Sequence, residues 1–335
     1  MAAECIKAAV LGLNAVGSMY ARVVHSDERM ELLAVADEDA ARVGVCAGRF
    51  GAEGFTDCRS LIVECCHSGL DVLLVALEPF ESLPYVELAG ERGIGVFHKS
   101  PPARNVREMQ RITERFSDPA RPLVVSRLWH FDPALFPLRN ASESIGQVYT
   151  VAICVSTDVD AAGWRGDSAR SGGGVLLNGA YEAVDLLVHL MGLPDAVYAQ
   201  CARHPEATAR GRYETEDAAI VSLRFAAGQI ASVTARRGAA EPSCDITLVG
   251  AEHTLDLHVG AGASTPGPEP GSEPGEIEVD PSVKAAVRSF AESCLMSDVP
   301  FVSVCGEHLA TLATIESAYL SARTGAPETP ARLLR

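Results

Sequence analysis

The stretch Ile6-Lys7-Ala8-Ala9-Val10-Leu11-Gly12-Leu13-Asn14-Ala15-Val16-Gly17 decides the fold, together with Ala34-Val35-Ala36-Asp37, whose Asp37 lies twenty residues beyond Gly17. Ile6–Leu11 is an apolar run broken only by Lys7 and reads as a strand. After the loop, Val16, Met19, Tyr20, Val23 and Val24 recur at helical spacing, and Leu32–Ala36 reads as a second strand. A strand, a tight Gly turn and a helix in this order are the parts of a dinucleotide-binding βαβ unit. Gly12 supplies the turn, Gly17 the close packing of helix on strand, and Ala15 and Val16 the helix N-terminus that faces a pyrophosphate. The middle position, usually Gly, is Asn14. Asn tolerates a positive φ better than most residues, so the turn is expected to survive, with the Asn14 side chain either crowding the phosphate or bonding to it. Asp37 can accept hydrogen bonds from a ribose diol and repel a 2′-phosphate, and Glu38 and Asp39 add to the repulsion. NAD(H) is therefore the expected cofactor and NADP(H) the less favoured one. The competing reading of Asp37 is a cap for the helix that begins at Ala40.

Outward from this unit the alternation continues. Ala40–Phe50, Leu83–Arg92 and Val106–Arg115 read as helices, and Val72–Ala76, Gly95–His98 and Leu123–Ser126 as strands. Such alternation implies a doubly wound parallel sheet covered on both faces. After about Ser126 the pattern changes. Gln147–Asp158, Ala218–Ala226, Gln229–Arg237, Asp245–Val249 and Thr254–Val259 read as strands without intervening helices, with a hairpin turn at Ala227-Gly228. Gly260–Gly275 reads as an exposed loop, and Val283–Met296 and Leu309–Arg323 as closing helices. The expected fold is thus α/β. Residues 1–126 form a Rossmann domain, and residues 127–335 an α+β domain with a large, mostly antiparallel open sheet; the last helix is expected to pack back on the first domain.

Composition narrows the function. The 335 residues carry a formal charge of −16, which disfavours nucleic acid and anionic membrane as partners. Neither a signal peptide nor an apolar run of membrane-spanning length is legible, so a cytoplasmic protein is expected. The ten cysteines form no C-x-x-C pair and read as reduced, mostly buried thiols, with no metal site.

In the order and spacing of its pieces the chain resembles the glucose–fructose oxidoreductase, inositol dehydrogenase and MocA (Gfo/Idh/MocA) family from Ile6 to about Pro327. The pieces are Ala34–Asp37; Ala76-Leu77-Glu78-Pro79, where the family has T-P; and Phe97-His98-Lys99-Ser100-Pro101-Pro102-Ala103, where it has E-K-P-x-A. They continue with Phe131-Asp132-Pro133, Ile145–Val148, Trp164-Arg165, Gly172–Leu176 and Ala318–Gly325. The resemblance implies an NAD(P)-dependent oxidoreductase acting on a polyol, sugar or keto-sugar-like substrate. It also implies that Leu77, Pro79 and Lys99 lie along the cofactor, and that the second sheet packs on another subunit in a homodimer or homotetramer. Ile220, Leu223, Val233, Ile246 and Leu248 are the apolar residues expected to serve that packing.

The departures from the family fall where its chemistry should be. The signature helix G-G-G-x-L-x-D-x-G-x-H-x-x-D here runs Gly172 to Asp185, with Asn178 for the first Asp and Glu182 for the His. Lys99 either keeps the register of the family Lys, with Ser100 inserted, or takes the place of its Glu; the first is favoured because Lys99 ends a strand. Asn178, Glu182, Asp185 and His189 are spaced to share one helical stripe, opposite Val184, Leu187, Val188 and Met191. By resemblance that stripe faces the cleft between domains. Hydride transfer at a hydroxyl carbon needs a proton acceptor. Lys99 is the expected acid/base. Glu182 is its partner or a ligand of a substrate hydroxyl, Asn178 orients substrate or a neighbour, and Tyr181 is a further donor or, in the register of Val184 and Val188, a core residue. Arg127, His130, Trp164, Arg165 and Asp185 are candidate substrate contacts. Two other readings remain open at this point: a dinucleotide-binding sensor or partner subunit, and a lyase or epimerase that uses tightly held NAD transiently.

Overall fold

The computed structural model describes residues 5–116, 118, 121–204, 213–239, 241–260, 278–296, 300–302 and 304–335. The loop expected at Gly260–Gly275 lies, from residue 261 on, outside the described residues. Contacts divide the chain into two units. One comprises Met1–Pro102, Glu108–Phe131 and Thr265–Gly306; the other comprises Ala103–Arg107, Asp132–Ser264 and Glu307–Arg335.

In the first unit the order is β1 (Ile6–Leu11), α1 (Ala15–Ser26), β2 (Met30–Ala36), α2 (Ala40–Phe50), β3 (Glu53–Phe55), α3 (Cys58–His67), β4 (Val72–Val75), α4 (Pro79–Glu91), β5 (Gly95–His98), α5 (Val106–Thr113) and β6 (Leu123–Val125). The strands pair in parallel in the order β3-β2-β1-β4-β5-β6. Their apolar runs are continuous because helices cover both faces, and Leu73, Leu74 and Val75 are fully buried. Two elements escape the sequence reading, β3 and α3. The three residues of β3 are too few for a period, and α3 is announced mainly by Asp57, which caps it through the N–H of Ser60 (2.8 Å). α4 begins four residues before Leu83, because Pro79 suits the first helical position. The helix α10 (Pro281–Leu295) returns to this unit, whereas the final helix α11 (His308–Thr324) belongs with the second. Val283, Val287 and Phe290 of α10 complete the core around Val10, Met19 and Tyr20, and Phe97 meets both Tyr20 (5.5 Å) and Phe290 (5.3 Å).

The second unit contains α6 (Ala141–Ile145), β7 (Val148–Thr157), α7 (Ser168–Ser171), α8 (Val175–Asn178), α9 (Tyr181–Met191), β8 (Ala196–Ala202), β9 (Ala218–Arg224), β10 (Ile230–Arg237), β11 (Ser243–Gly250), β12 (Thr254–Val259) and α11. Its sheet runs β12-β11-β7-β10-β9-β8, antiparallel except where β10 pairs with β7. β8 is an edge strand that the sequence reading passes over. The hairpin turns at Gly228, φ 86°, as expected.

Two expectations need correction here. Of the five apolar residues assigned to the sheet's outer face, Leu223, Val233, Ile246 and Leu248 are buried, because strand alternation turns them inward. The outward residues are Ile220 (60% exposed), Ile230 (54%) and Tyr198 (39%). Nor is the stripe Asn178–His189 continuous. Gly179 and Ala180 both donate to the Val175 carbonyl (2.9 Å each), which closes α8 before α9 starts. Asn178 therefore leaves the register of Glu182.

No helix among the described residues is long and apolar enough to cross a membrane.

Candidate active site

The phosphate loop is built as its glycines require, with one change. Gly12 carries the positive φ (81°), and a Cβ there would press on Leu77. A Cβ on Gly17 would fall on the Gly12 carbonyl oxygen. Asn14 has an extended backbone (φ −66°) and caps α1: Oδ1 accepts the Gly17 N–H (3.1 Å), and Nδ2 donates to the Ala76 carbonyl (2.8 Å) beyond β4. The expectation of a left-handed Asn14 is thus wrong, because Gly12 already makes the turn. Its amide is committed to the protein at both ends. Ala15 and Val16 follow in the first turn, where backbone N–H groups lack helical partners and the dipole favours an anion. These features fit a dinucleotide pyrophosphate.

Asp37 sits directly beyond β2. Its Oδ2 accepts the Leu13 N–H (2.6 Å) and its Oδ1 the Asp39 N–H (2.9 Å), so it closes the loop onto the strand end. The cap of α2 is Asp39, which accepts from Ala41 (2.9 Å) and Arg42 (3.4 Å), so the capping reading of Asp37 fails. Each Asp37 oxygen keeps acceptor capacity for a ribose hydroxyl. The Arg42 guanidinium lies 3.8 Å from Asp37 and 3.5 Å from Asp39.

Lys99 follows β5 directly and bonds to β4 through its N–H and the Val75 carbonyl (3.0 Å). Its ammonium meets the Glu78 carboxylate at 2.7 Å, in a pair that is mostly buried. Glu78 precedes Pro79 at the start of α4, in the segment that also carries Leu77. His98 is fully buried. Its Nδ1 donates to the Lys99 carbonyl (2.5 Å) and its Nε2 accepts from the Ser82 hydroxyl (2.9 Å), as a neutral ring can. Burial pushes its pKa down to about 4. Glu78 and Ser82 were missed in the sequence. A Glu before Pro79 and a Ser on the next turn give no signal until β4 and β5 are paired. Elsewhere in this unit, Arg127 is buried and stacks over Trp129 (5.4 Å), and His130 packs edge-on against Phe131 (5.1 Å).

In the second unit Arg165 stacks over Trp164 (4.9 Å), and its carbonyl accepts from Thr215 (2.8 Å). Asn178 Nδ2 donates to the Gly173 carbonyl (2.7 Å), bracing the Gly172-Gly173-Gly174 loop. Glu182 is half-buried in the first turn of α9. Asp185, expected to meet substrate, is instead 3% exposed; it accepts from Thr311 (2.9 Å) and lies 3.4 Å from His308. Tyr181 is equally buried and hydrogen-bonds the same His308 nitrogen (2.8 Å). These two residues join α9 to α11. A second buried group was also missed. Glu216 accepts the N–H groups of Gly174 (2.7 Å) and Leu176 (2.9 Å) and the hydroxyl of Tyr319 (2.9 Å). Burial raises the Glu216 pKa, and burial with Glu216 nearby raises that of Tyr319. Its sequence signal is spread across three distant segments.

The first unit is thus a dinucleotide-binding Rossmann domain with an ion-paired lysine at the carboxyl edge of its sheet, joined to an α+β unit: the class is a two-domain nicotinamide-dependent oxidoreductase. Residues 6–126 match the oxidoreductase family with an NAD-binding Rossmann fold, and residues 140–256 match the GFO/IDH/MocA C-terminal domain. The chain belongs to the Gfo/Idh/MocA family. Among solved structures, GenD2 from gentamicin A biosynthesis in complex with NAD has a TM-score of 0.82 and 21% identity, over 97% of this chain and 96% of that one. The WlbA dehydrogenase from Bordetella pertussis, in complex with NADH and UDP-GlcNAcA, has a TM-score of 0.80 and 22% identity, over 97% and 98%. An oxidoreductase from Agrobacterium radiobacter, in complex with NAD+, L-tartaric acid and magnesium, has a TM-score of 0.80 and 17% identity, over 98% and 99%. At such identities the likeness is one of fold. No curated protein sequence matched the chain.

Proposed function

We propose that this oxidoreductase moves a hydride between NAD(H) and the hydroxyl or carbonyl carbon of a polyol, sugar or keto-sugar-like substrate, with Lys99 as the acid/base. The observation that carries the reading is the Lys99–Glu78 pair, at 2.7 Å, on the strand ends next to the phosphate loop. Open α/β sheets bind ligands at the carboxyl ends of their strands. Bound NAD supplies the hydride acceptor or, reduced, the donor. In oxidation the Lys99 amine takes the hydroxyl proton; in reduction the ammonium returns a proton to the carbonyl oxygen. Glu78 holds the ammonium in place, and the His98 bond to the Lys99 carbonyl fixes the backbone under it. Glu182 serves a substrate hydroxyl, and Asn178 acts through the glycine loop that it braces. Trp164, Arg165, Arg127 and His130 remain candidate substrate contacts, while Tyr181 and Asp185 are left to the α9–α11 contact. The UDP-GlcNAcA and L-tartaric acid of the two relatives support a hydroxylated, polar substrate. Lys99→Ala is expected to lower turnover at least a hundredfold while NADH titrates as in the parent protein. Near-parental turnover would remove Lys99 from the chemistry.

The commitment of the non-titrating Asn178 amide to a backbone carbonyl favours a second reading, a dinucleotide-binding sensor or partner subunit without turnover. Such a protein would bind NADH and oxidise none of it with any substrate.

A further inference from the structure

Within the second unit lies an open cavity of about 740 Å³ whose wall contains neither the phosphate loop nor Lys99. Its volume falls in the range of small-molecule sites. Arg104, Arg203 and Arg323 reach it from three separate segments, in a chain where 44 acidic residues outnumber 28 basic ones. Three carboxylates share the wall, and each is engaged by the protein. Glu216 takes two backbone N–H groups and the Tyr319 hydroxyl, Glu316 takes the Val106 N–H (3.1 Å), and Glu214 takes the Ser168 hydroxyl (2.5 Å). Arg104 donates to the Ala169 carbonyl (2.6 Å) and so belongs to the wall. Arg203 donates to the Tyr213 carbonyl (3.3 Å). Among the described residues neither Arg203 nor Arg323 has a carboxylate within ion-pairing distance. A guanidinium presents a planar fork of donors that matches carboxylate and phosphate oxygens.

We propose that this cavity binds a small organic anion bearing a carboxylate or a phosphate, with Arg203 and Arg323 on the charged group. The site stands apart from the hydride-transfer reading. It communicates with the signature loop, because Gly173 lines it and Glu216 and Tyr319 hold the backbone of Gly174, Leu176 and Leu177.

The test is calorimetry on the full chain saturated with NADH, using D-glucose 6-phosphate and D-galacturonate as probes and D-glucose as the uncharged control. At least one charged probe is expected to bind at least tenfold more tightly than D-glucose. Arg203→Ala and Arg323→Ala should each weaken binding at least tenfold, while their melting temperatures and NADH titrations match the parent. Lys99→Ala should bind the probe within twofold of the parent, which separates this site from the proposed catalytic lysine. Silence from both charged probes overturns the proposal. So do arginine variants that bind like the parent, or loss of binding in Lys99→Ala.

Discussion

Asn14 holds the phosphate loop with two hydrogen bonds that glycine cannot make. Loss of such a cap costs about 1 kcal/mol. Asn14→Ala is expected to lower stability by about that amount in urea unfolding, and Asn14→Gly by only a few tenths. Asp37 is the other residue whose role is electrostatic. Its carboxylate, with that of Asp39, restrains Arg42, and an arginine in this region can accept a 2′-phosphate. Asp37→Ser should therefore raise NADPH affinity at least tenfold relative to NADH in fluorescence titrations; an unchanged ratio would deny Asp37 the selecting role. Gly12 and Gly17 were legible in the sequence because the turn and the close approach each demand a glycine. The cap made by Asn14 was not, since residue type alone left its backbone angle open. Glu216 and His308 were hidden for another reason: their partners lie in segments far along the chain.

At the scale of elements, β5 ends in a buried imidazole that ties α4 to the Lys99 turn. The folded pKa of His98 is about 4 against an ordinary 6.5. Unfolding therefore takes up a proton between these values, so this contribution to stability is complete above pH 6.5 and is lost as pH falls toward 4. About 2 kcal/mol should disappear between pH 7.5 and pH 5. His98→Gln should flatten that part of the pH profile in urea unfolding, and a parallel profile would refute the assignment. The α9–α11 contact is a second case. Removing the acceptor of a buried hydrogen bond leaves its donor unpaired and costs about 2 kcal/mol. Asp185→Ala should show a loss of that size, and Asp185→Asn a smaller one. Helical spacing had grouped Asp185 with Asn178 and Glu182. The break at Gly179–Ala180 and the arrival of Thr311 and His308 from α11 separate them, and spacing within one segment carries neither fact.

For the molecule as a whole, the alternation of strand and helix up to Ser126, and its replacement by bare strands, were enough to read both layers of the fold. Parallel strands announce themselves as continuous apolar runs, and antiparallel ones by alternation. Which residues face outward was less legible, because a one-residue shift of register exchanges the two faces. The residues that do face outward make the oligomer testable. We propose that the face bearing Ile220, Ile230 and Tyr198 packs on a second copy of the chain. The parent protein is then a dimer or tetramer at micromolar concentration in light scattering, and Ile220→Asp with Ile230→Asp is a monomer.

Hydride transfer with a Lys99 proton is the claim on which the functional account rests. NADH carrying deuterium at both C4 positions, incubated with the full chain and a panel of keto-sugars and inososes, tests it directly by mass spectrometry of the products. The account predicts a product with one deuterium on its new hydroxyl carbon from the parent protein, and at least a hundredfold less from Lys99→Ala. Bound NADH that keeps its label across the whole panel, or equal transfer by the lysine variant, would contradict it.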